Sequence, residues 1–188
     1  MRNFANIRLA AAIIIAIFGA LTIPSAQAQT FKVLYNFDGA SHGGDPYASL
    51  IRDAAGNLYS TVGYGGGTSF SGGVFKVAPD GTETMLYSFT GGADGAFPFS
   101  PVVRDSAGNL YGTTSQGGSA NAGVVFKVDH PSGTETVLHS FTGVHEGLFP
   151  SSGLIQDKNG HLFGTSYDDE ASNGDGSTHY GTVFKLTP

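Results

Sequence analysis

The chain has 188 residues, with nine Lys and Arg against fifteen Asp and Glu and a formal net charge of −6. That balance repels phosphate backbones and argues against nucleic acid as a partner. Cys is absent, so no disulfide staples the fold, and a chain of this length can bury a sizeable core without one.

Residues 1–28 read as a secretory signal peptide. Met1, Arg2 and Arg8 precede an apolar run from Leu9 to Leu21, and Ala26-Gln27-Ala28 supplies a cleavage box. The run is short for a spanning helix, which needs about 20 apolar residues. The expected product begins at Gln29, carries no membrane segment after cleavage, and is secreted or periplasmic. Its seven remaining basic side chains face all fifteen acids.

From residue 31 onward the chain repeats itself. "LYNF" at 34–37 returns as "LYSF" at 86–89 and "LHSF" at 138–141, and Pro46, Pro98 and Pro150 keep the same interval. Three tandem units of about 52 residues (31–83, 84–135 and 136–188) therefore fill 29–188 as one domain. Each unit holds four short runs rich in Val, Leu, Phe, Tyr and Thr, divided by Gly, Asp, Asn or Pro, with no helical period. In the second unit these are Met85–Phe89, Pro101–Asp105, Leu110–Thr114 and Val124–Val128. The spacing predicts an all-β fold of three four-stranded antiparallel repeats. Gly112 and Gly164, inside the third run, are expected to admit an adjacent sheet closely.

Between the second and third runs stand "DAAGN", "DSAGN" and "DKNGH". A turn this short needs a left-handed residue at Gly56, Gly108 and Gly160. Asp53, Asp105 and Asp157 are expected to tie the turn by accepting a backbone N–H two residues on. The motif is thus a hairpin stamped out three times and not a threefold active site.

Alternate connections of an up-and-down sheet emerge on one edge. The tight hairpins share one rim, and the longer joins, such as "TGGADGAFP" and "SQGGSANAG", share the other, where binding residues usually sit. Candidate ligand-binding residues on that rim are His42, Asp45, Asp94, Phe97, His145, Glu146 and Phe149. Asp94 and Glu146 occupy equivalent places and are the candidate acid and base for glycoside chemistry. In the enlarged loop "SYDDEASNGDGSTHYG", Asp168, Asp169, Glu170 and Asp175 offer oxygens for calcium, although the EF-hand spacing is missing. No other cofactor is indicated.

The stretch "LYSFTGGADGAFPFSPVVRDSAGNLYGTTSQGGSANAGVVFKV" closely resembles the repeat of the GloVer family, choice-of-anchor tandem repeat proteins of bacteria. The resemblance covers all three units and implies exported proteins built from β-propeller-type repeats, with varied surface anchors and no established catalytic residues. "VFKLTP" ends the third unit, and no surface anchor is expected after it. The strand order also resembles that of propellers in which a blade runs from Pro98 to Phe141. On that reading the chain starts with an outer strand, Phe31–Phe37. Propellers usually have four to eight blades and this chain codes three, so two chains in a six-bladed homodimeric ring are one expectation. A β-trefoil is the alternative fold. The leading function is a secreted binding or scaffold module for a glycan or surface protein. The alternatives are a carbohydrate-active propeller enzyme and a purely structural envelope protein.

Overall fold

The structure, a computed structural model, describes residues 29–143, 146–167 and 181–187. Residues 1–28, His145, Asp168, Asp169, Glu170 and Asp175 lie outside these, and with them the signal-peptide and calcium expectations. The chain divides into two units, Met1–Lys32 and Val33–Pro188, and the second holds all the strands.

Among the described residues, eleven strands form three separate antiparallel sheets. The first contains β1 (Ile51–Arg52), β2 (Leu58–Val62), β3 (Gly73–Val77) and β4 (Glu83–Ser88), paired in that order. The second repeats it with β5 (Val103–Arg104), β6 (Leu110–Thr114), β7 (Val124–Val128) and β8 (Glu135–Ser140). The third has three strands, β9 (Ile155–Gln156), β10 (Leu162–Ser166) and β11 (Thr182–Leu186). Each strand pairs with its chain neighbour, which is the plan of a propeller blade. A trefoil would spread the repeats over one shared barrel, and that alternative is set aside.

The sheets are offset by one strand from the sequence units. Residues 31–37, expected as an outer strand, carry no strand assignment. Phe37 instead packs edge-on against Phe75 of β3, with ring centroids 4.9 Å apart. Phe89 meets Phe126 in the same way at 5.0 Å, and Phe141 meets Phe184 at 5.3 Å. An aromatic that closes one outer segment is thus the plug of the following sheet.

Two clusters make the core between sheets. Tyr59, Val74 and Phe89 close on Val102, Leu110 and Phe126, and Tyr111, Val125 and Phe141 close on Leu154 and Leu162. Hydrogen bonds cross the same boundaries. Thr61 Oγ1 donates to the Ser100 carbonyl at 2.9 Å, and Thr113 Oγ1 to that of Ser152 at 3.3 Å. Because both faces of the second sheet are covered, every residue of β6 is buried, whereas β10 buries only alternate residues.

The hairpins follow the expected plan with one difference. Gly56, Gly108 and Gly160 take φ of 90°, 97° and 87°, as the turn requires. In all three, however, the aspartate accepts chiefly from the backbone N–H four residues on, at 2.9 Å from Asn57, Asn109 and His161. Only the third hairpin also shows the expected bond two residues on, from Asn159 at 2.8 Å. The sheet's own pairing places the i+4 amide over the carboxylate, and this satisfies it better. Gly112 and Gly164 also serve differently from expectation. A Cβ on Gly112 would stand 2.6 Å from Phe126 Cζ, and one on Gly164 would stand 2.5 Å from Phe184 Cζ. Their missing side chains admit the cross-strand ring of their own sheet and not a neighbouring sheet.

Candidate functional site

Bridges Gly44–Tyr64, Ala96–Gln116 and Leu148–Tyr167 join the two long connections of each repeat. At the opposite end His130 N donates to Asn109 Oδ1 at 3.0 Å, linking the two tight hairpins of the second sheet. The long joins therefore share one rim and the hairpins the other.

On the long-loop rim the nominated acids are engaged locally. Asp94 accepts from Tyr87 Oη at 2.9 Å, Thr90 N at 2.7 Å and Thr90 Oγ1 at 2.5 Å. Burial pushes its carboxyl up, but these three bonds outweigh it and hold the group below the usual carboxylate range. Glu146 accepts from Thr142 N at 3.2 Å and Thr142 Oγ1 at 3.1 Å, with His139 Nε2 at 3.4 Å, and it too is held low against the effect of burial. In the first repeat the roles are exchanged: Asp38 is the acceptor, and His42 Nδ1 sits 2.8 Å from it. His42, Asp94 and Glu146 thus each help to close their own loop. No hydrogen bond, ion pair or cleft among the described residues brings Asp94 and Glu146 together.

Asp45, Phe97 and Phe149 share a left-handed backbone, with φ of 55°, 56° and 48°, just before Pro46, Pro98 and Pro150. Such a conformation is uncommon for residues other than glycine and persists only where the surroundings enforce it. At Phe97 and Phe149 contacts between sheets help to enforce it. Phe97 N donates to the Ser71 carbonyl at 2.8 Å, and Phe149 N to that of Ala122 at 3.1 Å.

The Phe97 ring belongs to a cluster that the sequence did not disclose. It stacks on Phe99 at 6.2 Å with planes 11° apart and lies 5.3 Å from Tyr64. Tyr64 and Tyr47 each stand 5.8 Å from Phe99. Tyr47 is 70 % exposed and Tyr64 45 %, so the four rings, only Phe97 and Phe99 of them parallel, form a partly open aromatic platform by the long-loop rim. The signal available was divergence between repeats: Tyr47, Phe99 and Ser151 are equivalent by the 52-residue interval, as are Tyr64 and Gln116. A position that serves only the fold has little reason to vary in this way.

The hairpin rim carries a cleft of about 540 Å³ between the first two sheets, lined by Asp53, Tyr59, Lys76, Arg104, Asp129 and His130 among others. Several of its groups are engaged locally. Asp53 is drawn down to about 2 by bonds from Asn57 and Tyr59, Asp129 pairs with Lys127 at 2.5 Å, and Arg104 covers the Tyr59 ring at 5.7 Å. Lys185 likewise lies over the Phe163 ring at 5.7 Å.

Glu83 and Glu135, equivalent residues opening β4 and β8, each bury a carboxyl oxygen without a hydrogen-bond partner. Burial, aided by the charge of Asp94, pushes Glu135 up to about 7. Folding therefore favours its neutral form, and a penalty grows as pH rises from the unfolded value of about 4.5 toward 7, then levels off. After allowance for partial exposure it amounts to about 1–2 kcal/mol. Glu135→Gln is expected to melt with wild type near pH 4 and several degrees above it at pH 8. A melting-point difference independent of pH would contradict this account of the site.

A stack of antiparallel sheets of four, four and three strands, with paired long-loop and hairpin rims, defines a β-propeller-type repeat protein. The chain belongs to the Gloeobacter/Verrucomicrobia repeat family, whose model matches residues 18–176. No protein of curated function matches it. Among solved structures it is similar to a gluconolactonase-like protein, at 24 % identity and a TM-score of 0.40, over 74 % of this chain and 47 % of that one. The chain spans about half the length of that protein.

Proposed function

We propose that this protein is an exported binding module that holds a glycan on the platform of Tyr47, Tyr64, Phe97 and Phe99. The observation that carries the reading is four rings joined through Phe99, with Tyr47 largely and Tyr64 nearly half open to solvent. Exposed apolar surface gathered in one place marks an interaction site more often than scattered exposure does. A sugar ring offers C–H faces that pack on aromatic faces, and its hydroxyls stay in water or reach rim groups such as Asp45. Export is supported by the pattern of residues 1–28. The reading as a carbohydrate-active enzyme with Asp94 and Glu146 is less well supported, because each carboxylate closes its own loop.

A panel of neutral and cell-wall polysaccharides tests the proposal. At least one is expected to bind, and Tyr47→Ala or Tyr64→Ala to weaken it by about 3- to 10-fold each, the scale of one aromatic contact. Both side chains are exposed, so the melting point should hardly move. A blank panel would favour the purely structural alternative, and binding indifferent to both substitutions would remove the platform from the site.

A further inference from the structure

The repeat leaves two complementary surfaces uncovered at the two ends of the stack. We infer that a second copy of this chain covers both, head to tail, so that two chains make six blades.

The first surface is the front of the first sheet, a hollow of about 310 Å³ in which Phe75 and Val77 are already buried while Leu34 and Leu50 stand open. In the second sheet the same places are packed against the sheet before it. Val102, the equivalent of Leu50, is 1 % exposed, whereas Leu50 is 54 % exposed. The second surface is the back of the third sheet. Val74 and Val125 are fully buried by the sheet that follows theirs, but the equivalent Val183 is 83 % exposed and Ile155 beside it 68 %. Each surface presents what the other would meet at an internal boundary.

The hydrogen-bonding groups agree. β3 and β7 each carry an outer strand, and β11 has β10 on one edge and no paired strand on the other among the described residues. Residues 33–36 share the wording of β4 and β8 but pair with no strand among the described residues. Val74 pairs with Tyr87 and Val125 with His139, while Gly73 and Val124 pair with Ser88 and Ser140. Carried one repeat onward, the same register sets Val183 opposite Tyr35 of the second copy and Thr182 opposite its Asn36. Thr165 continues the series of Thr61 and Thr113, whose hydroxyls donate to the next sheet. Its acceptor by this register is the carbonyl of Ala48 in the second copy. An open strand edge beside apolar surface is the kind of site that another strand completes. Six blades also fall within the range in which such sheets close, as three do not.

Light scattering on the purified protein at tens of micromolar is expected to give twice the chain mass. Val183→Asp and Leu50→Asp, both at exposed positions, are expected to give the single-chain mass with an unchanged β-sheet spectrum. The absence of native Cys allows a direct test of register. Tyr35→Cys mixed with Val183→Cys should form an interchain disulfide on mild oxidation, and Tyr35→Cys mixed with Thr136→Cys should not. A single-chain mass for wild type would overturn the inference. So would a doubled mass that survives both aspartate variants, or equal cross-linking in the two mixtures.

Discussion

Phe126→Ala is expected to cost about 3–5 kcal/mol, the range for removing a fully buried aromatic ring, and to lower the melting point by roughly 10 °C or more. Phe126 is completely buried and fills the boundary between the first two sheets, where it meets Phe89 edge-on and lies over Gly112. Val74, Val102, Leu110 and Val124 share its buried cluster, so the space it would leave is walled by strand and core residues that cannot easily collapse. Phe184 is the same residue of the next repeat, but it is only partly buried and its sheet is covered on one face. In the Leu50→Asp background, which keeps the chain single, Phe184→Ala is therefore expected to cost distinctly less. Thermal unfolding of the two variants checks both statements, and equal losses would show that burial between sheets does not set the scale.

The second large effect falls on a glycine. Gly123 has φ of 96°, and a Cβ there would stand 2.3 Å from the Thr114 carbonyl oxygen and 2.7 Å from Pro150 Cδ. The first obstacle belongs to its own sheet and the second to the next, and neither is the tip of a flexible side chain. Gly123→Ala adds left-handed strain to forced separation of two sheets, together on the order of 3 kcal/mol. Gly39 supplies the comparison, since its φ of 75° is also left-handed but nothing lies within 4 Å of an added Cβ. Gly39→Ala should cost only the backbone part, about 1 kcal/mol. Denaturant midpoints of the two variants measure the difference, and similar values would show that the sheets do not approach at Gly123.

The contrast between these sites marks what was legible in the sequence. The hairpin was, because everything it needs lies within seven residues: Asp105 to accept, Gly108 to turn, Asn109 and Tyr111 to donate. The blade order was legible for a similar reason, since antiparallel neighbours in the sheet are neighbours in the chain. Gly112 was read with the right cause and the wrong neighbour, because the ring that fills its space comes from a cross-strand partner whose register the wording does not state. The aromatic platform was legible only as divergence at single positions, with Phe97 as its one nominated member, and not as a surface. Tyr47 and Tyr64 come from the first repeat and Phe97 and Phe99 from the second, and only the packing of two sheets makes them one surface. The acids were misleading in a specific way. Asp94 and Glu146 recur at equivalent places, which suggests a shared task, and the contacts they make are those of loop closure.

One view connects these results: the recurring residues build the stack, and what the protein contacts is decided where the repeats diverge. The first half of that view rests on aromatics and glycines clasping one sheet to the next. A double-mutant cycle between Phe89 and Phe126 tests it most directly. The account predicts a coupling of about 0.5–3 kcal/mol between these two rings, with Phe75 and Phe126 additive within about 0.5 kcal/mol. Additivity of Phe89 with Phe126 would mean that the first and second sheets do not hold each other through these rings, and the stacking described above would be wrong.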